Sequence, residues 1–160
     1  MNTATLDKSV IFVLRVLVGW VFLYAGTWQI WENYSAAGFL NHVVTFHSFF
    51  VNFATPAVLP ATDFLMKWGH LLIGLSLVSG LMVRVSGPFG ALLMIVYYFA
   101  HIQWPFVGDH LNFLVDFHLV YATVIVYLVA HDAGHVWGLD GLVERLHVVE
   151  RHPALRPLFG

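Results

Sequence analysis

A chain of 160 residues with a formal charge of −2, 59% hydrophobic residues and only 10% charged ones has too few polar side chains to cover a soluble domain. That balance offers nothing to nucleic acid, and the absence of cysteine excludes disulfides, thiol redox chemistry and thiolate metal sites. The mean hydropathy of +0.78 points instead to a lipid bilayer as the solvent.

In chain order, residues 10–30 form the first apolar run, nearly free of charge and long enough to cross a hydrocarbon core of about 30 Å as a helix. No small-residue cleavage site follows it, so it reads as a retained helix and not a signal peptide. Arg15, Gly19, Phe22, Gly26 and Gln29 recur along one face. Residues 39–53 of the next segment also have a helical period, with Phe39, Val43, Phe46, Phe50 and Phe53 on one stripe and Asn41, Thr45, Ser48 and Asn52 on another. Lacking Lys and Arg, this segment is expected to lie flat at the outer interface or cap the bundle mouth. Pro56 and Pro60 end it and re-aim the chain.

Three further runs follow, at residues 68–83, 88–104 and 111–130. In lipid each backbone amide must be satisfied within its own segment, so all should be helices. Small or polar residues mark the expected packing faces. These are Gly69, Ser76 and Gly80, then Gly87, Ala91, Met94, Tyr98 and His101, then Asn112, Asp116, Thr123 and Tyr127. The tail at 138–149 repeats an amphipathic pattern through Leu139, Leu142, Val143 and Leu146, with Asp140 as its expected N-cap. The expected fold is all-α: an integral membrane four-helix bundle in one domain, with an interfacial helix in the first outer loop and an amphipathic C-terminal tail helix.

An even number of spans puts both termini on one side with Lys8, Arg84, Arg145, Arg151 and Arg156, and Arg15 lies nearest the same face. Only Lys67 falls on the other side. Basic residues collect on the cytoplasmic face, which gives an N-in/C-in topology. Arg15 is expected to pair with Asp132 or to extend towards head groups.

Ten histidines against seven Lys plus Arg is an unusual ratio. Ionisable groups within membrane spans are costly and default to functional hypotheses. Glu32, His70, His101 and Asp116 bring one protonatable group per helix to the outer level, with Asp116 about one and a half turns inside the fourth span. His118 is about 160° from Asp116 on a helical wheel, so both are not expected at the bundle centre. His42, His47 and His110 are expected in outer loops. Trp28, Trp68, Tyr97, Tyr98 and Trp104 stand near the same level, beside Gln29 and Asn112, and either line an aromatic ring pocket or form an interfacial belt. Such a constellation can hydrogen-bond and protonate a quinone head group through His70, His101 and Asp116. Alternatively, His70, His101 or His118 can ligate haem iron or a divalent metal.

Three stretches carry a family resemblance. Arg15 and Gly19 lead into Phe22-Leu23-Tyr24-Ala25-Gly26, and His70-Leu71-Leu72-Ile73-Gly74-Leu75-Ser76 runs on to Gly80 and Arg84. The turn Ala133-Gly134-His135-Val136-Trp137-Gly138-Leu139-Asp140 completes the set. Together they resemble the DoxX/DoxD-type membrane proteins over roughly residues 10–145. This chain has Gln29 where the family commonly has Lys, and His70 where it commonly has Glu. The resemblance implies an inner-membrane, multi-pass subunit of a quinone-linked oxidoreductase, similar to the small membrane subunit of thiosulfate:quinone oxidoreductase. Without cysteine or a flavin motif, such a subunit is expected to need a catalytic partner or a bound cofactor, and a partner subunit or a homo-oligomer is the expected assembly. A non-catalytic membrane scaffold or carrier is the further alternative.

Overall fold

The computed structural model describes residues 3–108, 112–146, 151 and 157–159. Helix α1 (Thr3–Trp31) is followed by two short helices, α2 (Ala37–His42) and α3 (His47–Phe50), and a 3-10 turn at Val51–Ala54. Helices α4 (Leu59–Ser79) and α5 (Val83–His101) come next, then three two-residue strands, β1 (Ile102–Gln103), β2 (Phe106–Val107) and β3 (Asn112–Phe113), paired antiparallel in that order. Helix α6 (Phe117–Ala130) and the single-turn α7 (Asp140–Val143) follow.

Helices α1, α4, α5 and α6 pack side by side, α4 against α1 and α5, and α6 against α5 and more sparsely α1. By length and composition α1 and α5 can cross a membrane, and α4 makes a third candidate together with the His47–Ala54 segment, from which it is bent by 94°. The four expected spans are therefore not equivalent. Asp63, Lys67 and His70 dilute the apolar character of α4, and α6 has only 14 residues.

The boundaries shift for local reasons. The second helix begins at Leu59, not residue 68, because Pro60 stands in its first turn, where no intrahelical N–H is needed. It ends at Gly80, whose positive φ of 69° reverses the chain. The third starts at Val83 and carries Pro88 on an exposed face, ending at His101 because the strands take over. The start of the fourth expected span, residue 111, lies outside the described residues, as does His110; the helix itself begins at Phe117.

The expected single helix at residues 39–53 is broken. Val43 is extended, as suits the β-branched run Val43-Val44-Thr45, and Thr45 Oγ1 donates to the Ile102 carbonyl at 2.5 Å. Leu40, Val43 and Phe50 still pack inward with Ala36 and Ala100, whereas Phe46 and Phe53 are exposed. Among the described residues of the expected tail helix, α7 covers Asp140–Val143, and Leu139, Leu142 and Leu146 are exposed; residues 147–149 lie outside the described residues.

Packing faces follow steric access more than polarity. All five residues of the expected α1 face are buried. In α4 the buried set is His70, Ile73, Gly74 and Leu77, while Gly69 faces open space. In α6 the expected face is reversed: Thr123 and Tyr127 are exposed and His118, Ala122, Ile125 and Leu128 are buried. Thr123 satisfies its own hydroxyl on the Leu119 carbonyl at 2.8 Å, so it needs no partner helix. The main core gathers Val18, Phe22, Ile73, Leu77, Met94 and Ile125.

One end of the assembly is tied by polar groups. The Arg15 guanidinium is wholly buried and donates to the carbonyls of Ala133, Val136 (3.1 Å) and Trp137 (3.3 Å), over the ring of Phe12. This replaces the expected Asp132 pair; Asp132 is exposed. Asp140 is not the N-cap of the tail helix, because it lies inside α7. Its buried carboxylate accepts from the Met82 amide at 2.6 Å and the Val83 amide at 3.3 Å, capping α5 across the fold. Burial pushes this carboxyl up, opposed by the two amides and by Arg15. Asp140→Ala is expected to cost about 2 kcal/mol, since it strands two buried amides, readable as a lowered unfolding midpoint in detergent.

Candidate functional site

At the opposite end, the last turns of α1, the middle of α4, the last turns of α5 and the start of α6 enclose a cavity of about 200 Å³. Its walls are Val21, Phe22, Ala25, Met94, Phe117 and Tyr121, and its polar groups are Gln29, His70, Tyr97 and His118. The exposed Val21 and Phe117 rim it, so it opens between α1 and α6.

Each imidazole here is oriented by a hydrogen bond at Nδ1. His70 Nδ1 donates to the Met66 carbonyl at 2.7 Å, and His101 Nδ1 to the Tyr97 carbonyl at 2.8 Å. A carbonyl only accepts, so Nδ1 holds the hydrogen and Nε2 keeps its lone pair in the neutral ring. His118 Nδ1 meets Asp116 Oδ2 at 2.5 Å, and both residues are buried.

Asp116 corrects the expectation of a carboxylate inside the fourth span. It is the N-cap of α6, with extended backbone (φ −127°, ψ −178°), and its Oδ1 accepts from the His118 amide at 3.1 Å. The helical-wheel separation from His118 does not apply to a residue outside the helix, so the two side chains meet after all. A capping carboxylate of this kind is satisfied locally and still has an oxygen left to fix the imidazole.

Tyr97 binds the group together. Its ring stacks on His70 at 5.5 Å, and meets His118 edge-on at 5.8 Å and His101 at 6.4 Å. The Tyr97 hydroxyl and Gln29 Oε1 are buried without hydrogen-bond partners. Both atoms are shielded, so a water-sized molecule in the cavity does not reach them. Just outside, burial and Asp63 hold the Tyr34 phenol above its ordinary value.

Of the residues read from the sequence, the structure brings together Gln29, His70 and Tyr97 at the cavity, with Asp116 one residue removed through His118. His101 does not line the cavity. It stacks behind His118 at 4.8 Å and against Phe39 at 4.8 Å. Tyr98 turns away to donate to the Leu114 carbonyl at 2.7 Å. Trp28, Glu32, Trp68, Trp104 and Asn112 are exposed and line nothing, Trp104 at 70% of its surface. Trp28 and Trp68 sit on outward faces of α1 and α4, Glu32 just past the end of α1, Trp104 between β1 and β2, and Asn112 in β3. His42 and His47 are exposed. His118, read from the sequence only as a metal ligand, is the residue whose part was missed; the spacing Asp116-x-His118 before an apolar run was the available signal.

Among the described residues no group of three or more His, Asp or Glu side chains is arranged to hold a metal ion. A larger groove of about 710 Å³ runs along the outer side of α4 and α5, but its walls are almost wholly apolar and the Ser76 and Ser86 hydroxyls in it bond each other at 2.6 Å. It offers no chemistry. No family model, curated protein or solved structure matches this chain.

Proposed function

We propose that this protein is the membrane subunit of a quinone-linked oxidoreductase of the DoxX/DoxD type, and that the cavity between α1 and α6 takes the quinone ring. In this reading α1, α4, α5 and α6 all span the cytoplasmic membrane, N-in/C-in, with the cavity towards the outer face. The basic residues at the Arg15 end support that orientation. The observation that carries the reading is the meeting of two oriented imidazoles, His70 and His118, at an apolar cavity of one-ring size that Gln29 and Tyr97 also line. His70 and His118 would exchange protons with the ring oxygens, Tyr97 and Gln29 would line the ring, and Asp116 would act through His118 by fixing its tautomer. His101 backs His118 and would not touch the ring. Substrate oxidation would then belong to a partner subunit, since the chain has no cysteine for sulfur chemistry of its own.

Organic extracts of the purified protein, analysed by mass spectrometry, are expected to contain quinone enriched over the co-purifying lipid. His70→Ala and His118→Ala should each lower it at least about tenfold, the effect of losing about 1.4 kcal/mol of binding. Quinone at no more than its membrane proportion would refute the reading, and a Soret band in the pure protein would put His-ligated haem in its place.

A further inference from the structure

The hydrogen-bonding character of the cavity is lopsided. A quinone presents only acceptors on its two carbonyl oxygens, whereas its reduced form presents two O–H donors. The Met66 carbonyl occupies the donor edge of His70, and the Asp116 carboxylate occupies that of His118. What each neutral ring has left for the cavity is Nε2, an acceptor. The Gln29 side-chain amide carries both a donor and an acceptor, so it does not tilt this balance. The Tyr97 hydroxyl is shielded from the cavity and could donate or accept in any case.

We infer that the site is built to hold the hydroxyl-bearing, reduced form of an aromatic ring, a hydroquinone-class ligand, in preference to the quinone. The inference rests on the quinone reading above and adds which redox form is favoured. Each ring O–H would donate to His70 Nε2 or His118 Nε2. A quinone in the same place would set carbonyl lone pairs against imidazole lone pairs and leave acceptors on both sides unpaired, the asymmetry by which a built polar site rejects the wrong partner. The carboxylate behind His118 strengthens the effect, because it keeps the ring from turning its N–H inward.

The test compares duroquinone and anaerobically prepared durohydroquinone binding to the full-length protein in detergent, by calorimetry at pH 8, above the ordinary imidazole value of about 6.5. The hydroquinone is expected to bind at least about tenfold more tightly, which corresponds to a rise of about 30 mV in the two-electron potential of the bound couple. His118→Asn should bring the ratio close to one. Its amide can still donate to Asp116, but the Nε2 acceptor is gone. His70→Asn, which can keep the bond to Met66, provides the same readout should the first variant not fold. Equal affinities, or tighter binding of the quinone, would overturn the inference while leaving a quinone site in place. Failure of the wild type to bind either form would remove both.

Discussion

Arg15→Met is expected to lower the stability of the protein by about 3–5 kcal/mol, the range for leaving a buried charged group without its counterpart. The change deprives three carbonyls, those of Ala133, Val136 and Trp137, of their donor and leaves the buried Asp140 carboxylate without its nearby cation. Met matches much of the length of Arg and its apolar bulk, so lost packing is a small part of the effect. Arg15→Lys should recover only part of it, because an ammonium cannot spread over three carbonyls as a planar guanidinium does. The measurement is the thermal unfolding midpoint of detergent-solubilised protein together with the monodisperse yield. An Arg15→Met protein within about 1 kcal/mol of wild type would mean that this end is not held by the guanidinium.

The second large effect concerns α1 against α4. A Cβ on Gly74 would overlap the Leu23 backbone, and one on Gly26 would lie 2.7 Å from the Leu71 Cα. Neither neighbour is a flexible side-chain tip; both are main chain, so the helices themselves must part. Gly74→Val and Gly26→Val are each expected to cost at least about 3 kcal/mol, at or beyond the upper end for overpacked cores. Gly26 is one turn from Gln29, and Leu71 adjoins His70, so the same substitutions should abolish quinone retention even in protein that still folds. Gly69→Ala is the control on the same helix: nothing lies within 4 Å of the added carbon, and no loss beyond about 0.5 kcal/mol is expected. Equal behaviour of Gly69→Ala and Gly74→Val would show that helix approach is not limiting.

The sequence was legible where one physical rule acted alone. The α1 face from Arg15 to Gln29 could be read because small and polar residues repeat there against an otherwise apolar helix, and all of it is buried. In α6 the same rule pointed to the wrong face, since a threonine bonded to its own helix can stand on an exposed face while Ala122 and Ile125 fill the core. The outer segments were misread because periodicity at residues 39–53 competes with a β-branched stretch that has a tertiary partner at Ile102. No apolar pattern announces strands of two residues.

The candidate site divides in the same way. Gln29, His70 and Tyr97 were reachable from depth and residue type alone. Tyr98 was not separable from Tyr97 without knowing the helix rotation, and a one-residue turn of about 100° decides which ring enters. The Asp116–His118 contact escaped because a helical wheel presumes a helix at both positions, and the chain is extended at the first. Deciding where a helix starts thus decided whether two side chains were placed apart or together.

The mouth between α1 and α6 has a bearing on how the protein would be fed. Flanked by the exposed apolar residues Val21 and Phe117, it would face sideways in the proposed bundle, so a molecule dissolved among acyl chains would reach it by lateral diffusion without first entering water. Occupancy would then follow the leaflet's mole fraction of ligand, and a water-soluble analogue would compete only to the extent that it partitions into the bilayer.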